Sequence, residues 1–199
     1  MAFWSDPHVT EDAAALKDPK RKFRFLVNFN NIEKDAGRLW YAKTAGKPSF
    51  TINAAEHKYL NHTFYYPGNV TWNEVTIALV DPVDPDVSAT IADIIVKGGY
   101  SIPANPSTNQ VTISKAKAAS SLGTVTVSQL DSEGLELEVW TLYNAWISDV
   151  KFGDLEYGAD DLTQVDLTLK YDWAQLETSG TEGSEHAGGG RETDFFTVR

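Results

Sequence analysis

Residues 151–173 read KFGDLEYGADDLTQVDLTLKYDW, and their second half decides the fold class. From Leu162 onward apolar and polar residues alternate. Val165, Leu167, Leu169, Tyr171 and Trp173 fall on one face, and Gln164, Asp166, Thr168, Lys170 and Asp172 on the other. A period of two is what a strand with one buried face must show. The acids of the first half, Asp154, Glu156, Asp160 and Asp161, raise the question of a calcium loop. Counted from Asp154, such a loop needs oxygens at positions 1, 3 and 5, glycine at 6 and glutamate at 12. Here position 5 is Gly158, position 6 is Ala159 and position 12 is Val165, so the pattern fails.

The same alternation recurs on both sides of this stretch. Phe23, Phe25, Val27 and Phe29 alternate with Arg24 and Asn28; a short strand begins at Leu39; Val75, Ile77 and Leu79 alternate in another. Near the other end, GTVTVSQL and LELEVWTLY flank Asp131-Ser132-Glu133-Gly134, with Asp first and Gly last as a type I turn prefers. AWISDVKF is one strand more. Residues 46–68 keep a looser pattern, with strand-like pieces near 49–56 and 62–66 and Pro67-Gly68 as terminator. They read as an extended hairpin or projecting loop.

One helix is expected over 85–97. Asp84 can cap it, Pro85 suits its first turn, and Val87, Ile91, Ile94 and Ile95 share a face. Lys97 complements the dipole and Gly98-Gly99 stops the helix. SKAKAASS, 114–121, reads as a loop or a short helix. The expected organisation is an N-terminal arm over 1–21, a β-domain over 22–176 and a Gly/Ser/Thr/Glu-rich tail over 177–199. The tail reads as flexible, or, because of Phe195, Phe196 and Val198, as an arm that docks on a neighbouring chain.

The chain has 199 residues, no cysteine and a net charge of -11. That excludes a disulfide scaffold and thiolate chemistry, and argues against a nucleic-acid clamp, which needs a basic surface. No apolar run approaches the ~20 residues of a membrane span. The first 22 residues lack the apolar core of a signal peptide, so a soluble intracellular start is expected. Catalytic and metal motifs are missing from the sequence. His8, His57, His62 and His186 form no HExxH, there is no GxSxG elbow and no GxxxxGK[ST] loop. Glu136 and Glu138 fall on one side of a strand about 7 Å apart, but nothing flanking them would raise one pKa. An enzyme is not expected, nor a cofactor or metal. The aromatic residues are compatible with a carbohydrate-binding β-sandwich, yet most lie on apolar strand faces and suit core and interface roles better.

Two blocks resemble the tail tube proteins of contractile-tail bacteriophages, relatives of the inner tubes of contractile injection systems. The first is DPKRKFRFLVNFNNI, 18–32, followed further on by Pro67-Gly68, Trp72 and VTIALVDP. The second is NAWISDVKFGDLEYGADDLTQVDLTLKYDW, 144–173. The resemblance implies a mainly β antiparallel sandwich or barrel with one flanking helix, in subunits that close into hexameric rings stacked as a hollow tube. It implies a structural virion component assembled in the host cytoplasm, partnered by sheath, baseplate and tail terminator proteins, with DNA passing through the lumen unbound and no membrane insertion. Lumen-facing candidates are Glu136, Glu138, Asp166 and Asp172. Candidates for contact with the next ring are His57, Tyr59, His62, Tyr65 and Tyr66. The alternative is the inner tube of an injection or secretion system that delivers proteins.

Overall fold

The structure is a computed structural model that describes residues 20–31, 42–84, 86–102, 112–158, 160–178 and 194–196. The N-terminal arm, except for its last two residues, and most of the C-terminal tail lie outside these residues.

Alternation writes two sheets that pack face to face. The first runs in the order β1 (Phe25–Phe29), β6 (Val125–Leu130), β7 (Glu136–Tyr143), β10 (Trp173–Thr178) and β11 (Asp194–Phe195). The second runs β2 (Ala42–Ala45), β5 (Val75–Val80), β9 (Gln164–Lys170), β8 (Trp146–Lys151). All pairings among the described residues are antiparallel. Val27, Phe29, Val125 and Leu142 of the first sheet meet Ile77, Leu79, Val165, Leu167 and Leu169 of the second in one core. Both sheets remain open among the described residues, so the architecture is a sandwich and not a closed barrel.

A third pair, β3 (Phe50–Tyr59) with β4 (His62–Trp72), stands apart from both sheets. The hairpin is longer than the sequence pattern indicates, because Pro67-Gly68 does not end it. Those residues sit inside β4 at a register shift opposite Ile52 and Ala54. The strands approach so closely there that a Cβ at Gly68 would stand 2.9 Å from the Asn53 carbonyl oxygen. Glycine therefore serves a bulge, and the strand continues to Trp72.

Among the described residues two helices flank the sandwich, where the resemblance implies one. α1 (Val87–Lys97) buries Val87, Ile91 and Ile94. Its N-cap is Asp86, which accepts from the Ala89 N–H at 2.8 Å, and not Asp84. Asp81, still nearer the sandwich, accepts from the backbone N–H groups of Val87 and Ser88. α2 (Lys115–Leu122) is the SKAKAASS stretch, capped by Ser114.

The segment 162–173 is not one strand. It breaks at Tyr171-Asp172, where the chain leaves the second sheet as β9 and enters the first as β10. The chain makes the opposite crossing at Asn144-Ala145, between β7 and β8. Asn144 takes a φ of 55°, which asparagine tolerates better than most residues. The two corners are stitched together: the Asn144 amide donates to Asp172 at 2.8 Å, and the Asp172 N–H donates to the Tyr143 carbonyl. The Asn-Ala-Trp motif is thus the place where the fold changes layer.

Candidate assembly surfaces

The four carboxylates expected to line one wall are dispersed. Glu138 lies on the core-facing side of β7 with Trp140 and Leu142, and is 8% exposed. It is ringed by donors: Lys20, Lys47 at 2.8 Å and the Trp140 indole at 2.6 Å. Burial pushes its pKa up, but these three donors outweigh burial and hold it at about 2. It is a fixed internal anion. Through Lys47 it ties the approach to the hairpin root onto the first sheet.

Glu136 does not share its side. The register shifts between Gln129 and Leu130, so Leu130 pairs with Glu136 while Gln129 pairs with Glu138. The bulge turns Glu136 to the outer face of the first sheet, where it accepts from the Ser128 hydroxyl at 2.9 Å. Simple alternation, which put the two glutamates together, fails at this one residue. Asp172 sits at the layer-crossing corner, paired with Lys115 at 2.7 Å; that lysine and Asn144 lower its pKa. Asp166 alone is on the outer face of the second sheet, opposite Ala78, with Gln164 donating to it. The outer faces of a sandwich point in opposite directions, so Glu136 and Asp166 cannot line the same wall of one subunit.

The outer face of the second sheet is mainly polar around Ala78. Thr44, Thr76, Asp149, Lys151, Asp166 and Thr168 line it together. The outer face of the first sheet differs, carrying Tyr143 stacked on Trp173 at 5.3 Å.

The hairpin is the most exposed element described. Every residue of β3 is exposed, and so are Phe64, Tyr65, Tyr66 and Val70 of β4. The register sets His57, Tyr59, His62, Phe64 and Tyr66 on one face, with Tyr65 on the other. Four of the five residues singled out in the sequence therefore lie together, joined by Phe64, whose ring meets His62 at 4.7 Å. At the tip, Leu60 has a φ of 53° and is 89% exposed. Leucine in that conformation costs about 1–2 kcal/mol, and no burial within its own chain offsets it.

The hairpin root is an aromatic cluster. Phe50 and Trp72 meet at 5.1 Å, and Trp72 packs on Tyr171. Phe196 joins them, 5.7 Å from both Phe50 and Trp72, as β11 pairs with the edge of β10. Of the tail's apolar residues Phe196 packs on its own chain, while Val198 lies outside the described residues. Among the described residues no group of three His, Asp or Glu side chains could hold a metal, and no helix is long and apolar enough to cross a membrane.

No protein-family model matches the sequence, and no curated protein is similar to it. Solved structures with a similar fold include chains of contractile assemblies. One belongs to the sheath–tube complex of the PVC extracellular contractile injection system in its extended state, with a TM-score of 0.62 and 16% identity over 85% of this chain and 99% of that chain. A second, from the tube-terminating cap of the anti-feeding prophage, has a TM-score of 0.62 and 16% identity over 86% and 99%. A third, from the anti-feeding prophage baseplate, has a TM-score of 0.58 and 17% identity over 80% and 96%. The fold expected from the resemblance in sequence is the fold of these chains.

Proposed function

We propose that the protein is a structural tube subunit of a contractile-tail assembly, closing into rings that stack into a hollow conduit. The observation that carries this reading is a free-standing hairpin, aromatic on one face, on a fold shared with chains of contractile assemblies. A sandwich that needed nothing beyond itself would have no use for such an arm. Strand edges left unpaired among the described residues support it too: β2 and β8 border the second sheet and invite pairing with sister copies, a hazard for a lone chain but a device for a ring. Hexameric closure fits this reading, with sheath, baseplate and terminator proteins as the partners of the tube.

In this reading the outer face of the second sheet is the lumen wall. Its carboxylates Asp149 and Asp166 are balanced by Lys43 and Lys151, so the wall is hydrated and mixed in charge rather than uniformly acidic. Of the four lumen candidates, Asp166 alone belongs to it. A phage tail, with DNA as cargo and the virion as location, suits the net charge of -11. The inner tube of an injection system is the second reading, favoured by the assemblies from which the similar chains come. In either case the role is structural and not catalytic.

Negative-stain microscopy of purified protein across a concentration series tests the reading. Rings and hollow rods are expected as concentration rises. Compact single chains at every concentration, with the natural initiating complex supplied, would refute it. Nucleic acid or protein recovered inside native tubes distinguishes the two conduits.

A further inference from the structure

A second exposed apolar surface lies at the far end of the same sheet. The hairpin enters β5 at Val75, which pairs with Leu169; the other end of β5, Val80, pairs with Gln164. The β8–β9 loop, 152–163, leaves from that other end, where the Asp81 N–H donates to the Thr163 carbonyl at 3.0 Å. Six residues of β5 separate hairpin root from loop by about 17 Å, and the hairpin extends away from its root.

Four large apolar side chains crowd this loop in solvent: Phe152, Leu155, Tyr157 and Leu162, with Tyr157 wholly exposed. Leu155, Tyr157 and Leu162 border an open groove of about 770 Å³ that also takes in Asp154, Asp161 and Asp166. Gly153 shapes one side, since a Cβ there would stand 2.5 Å from the Gln164 carbonyl oxygen. Asp154, Glu156, Asp160 and Asp161 make the loop acidic. The ring-bearing face of the hairpin carries two histidines and no carboxylate.

From this placement we infer that the β8–β9 loop is the receptor for the hairpin of a second copy of this chain. Aromatic rings meet apolar side chains, and a face without carboxylates meets an acidic rim. Because the two surfaces occupy opposite ends of one subunit, each copy offers a hairpin at one end and a groove at the other. Such a heterologous contact does not close on itself and propagates as a filament. Isologous pairing of hairpin with hairpin would stop at two copies.

The inference rests on the tube reading but fails separately from it. The chain contains no cysteine, so introduced pairs report cleanly. Tyr59→Cys is combined in one chain with Leu155→Cys, and separately with Tyr157→Cys or Leu162→Cys. The two positions lie at opposite ends of the subunit, far beyond the roughly 7 Å Cα separation a disulfide spans, so any bridge links two copies. Mild oxidation of assembled protein is expected to give a ladder of linked chains, while each single-cysteine variant gives dimers at most. A second arm mixes two defective chains, Tyr59→Ser/Tyr66→Ser with an intact loop and Leu155→Ser/Tyr157→Ser with an intact hairpin. Each alone should need about tenfold or more higher concentration to stack, whereas the mixture should pair and stop. Tubes that form without a ladder in all three combinations, or loop variants that stack like the parent chain, overturn the receptor and leave the tube standing. Absence of rings and rods in the parent chain overturns both.

Discussion

The sandwich and the hairpin are written in similar residues and use them in opposite ways. In β9 the alternation buries Val165, Leu167 and Leu169 almost completely, so each apolar residue stabilises the chain that carries it. In β3 and β4 the aromatic residues stay in water, and an unfavourable backbone angle at Leu60 is kept at the tip. The sandwich thus serves its own chain, and in the proposed tube the hairpin serves another. Substitutions in the first should change stability, and substitutions in the second should change association.

The sharpest way to break this contrast is at its extremes. Leu167→Ala empties a fully packed site and should cost about 2–5 kcal/mol in urea or thermal unfolding. Tyr59→Ser/Tyr66→Ser should cost less than about 0.5 kcal/mol. Equal losses at both places would dissolve the distinction.

Glu138→Gln probes the joint between the two regions. The pKa of this carboxylate is lowered from 4.5 to about 2, so its contribution is complete above pH 4.5 and is lost as pH falls through about 2. The shift corresponds to at most about 3 kcal/mol, since both lysines are half exposed. Unfolding curves between pH 7 and 2 should show the variant less stable at neutral pH, and a flatter dependence below 4.5. Superimposable pH profiles would mean the ion cluster does not hold the root.

Phe196→Ala should have a smaller effect, about 1 kcal/mol, because the ring is half exposed and contributes aromatic contacts at the root. Least of all for the isolated chain is Leu60→Gly. Relief of the positive φ, about 1–2 kcal/mol, is largely offset by the entropy glycine loses on folding. Calorimetry should give a melting point near that of the parent, while rod formation weakens because the apolar tip is gone. A strongly shifted melting point would show that Leu60 serves its own chain after all.

What could be read from the sequence divides along the same line. One-face strands announce themselves through local alternation, and β1, β5 and β9 were legible for that reason. Glu138 was not, because the residues that trap it, Lys20 and Lys47, are 118 and 91 positions away. The bulge that separates Glu136 from Glu138 leaves alternation intact in the sequence while reversing a side in space. Asp172 looked like the end of a strand face and is a layer-crossing corner, a change that periodicity does not record. The hairpin was seen in outline, but Pro67-Gly68 looked like a terminator because a bulge and a turn call for the same residues. In the sequence the β8–β9 loop stands out for its acids. Its apolar residues became informative only once topology put them at the opposite end from the hairpin.

The most direct measurement is a cryo-EM reconstruction of the protein assembled at high concentration. Hollow rods in which each hairpin is buried against the next ring, its ring-bearing face on the 152–163 loop, are the predicted result. Rods whose hairpins project into solvent, or a preparation that contains only separate chains, would contradict the account.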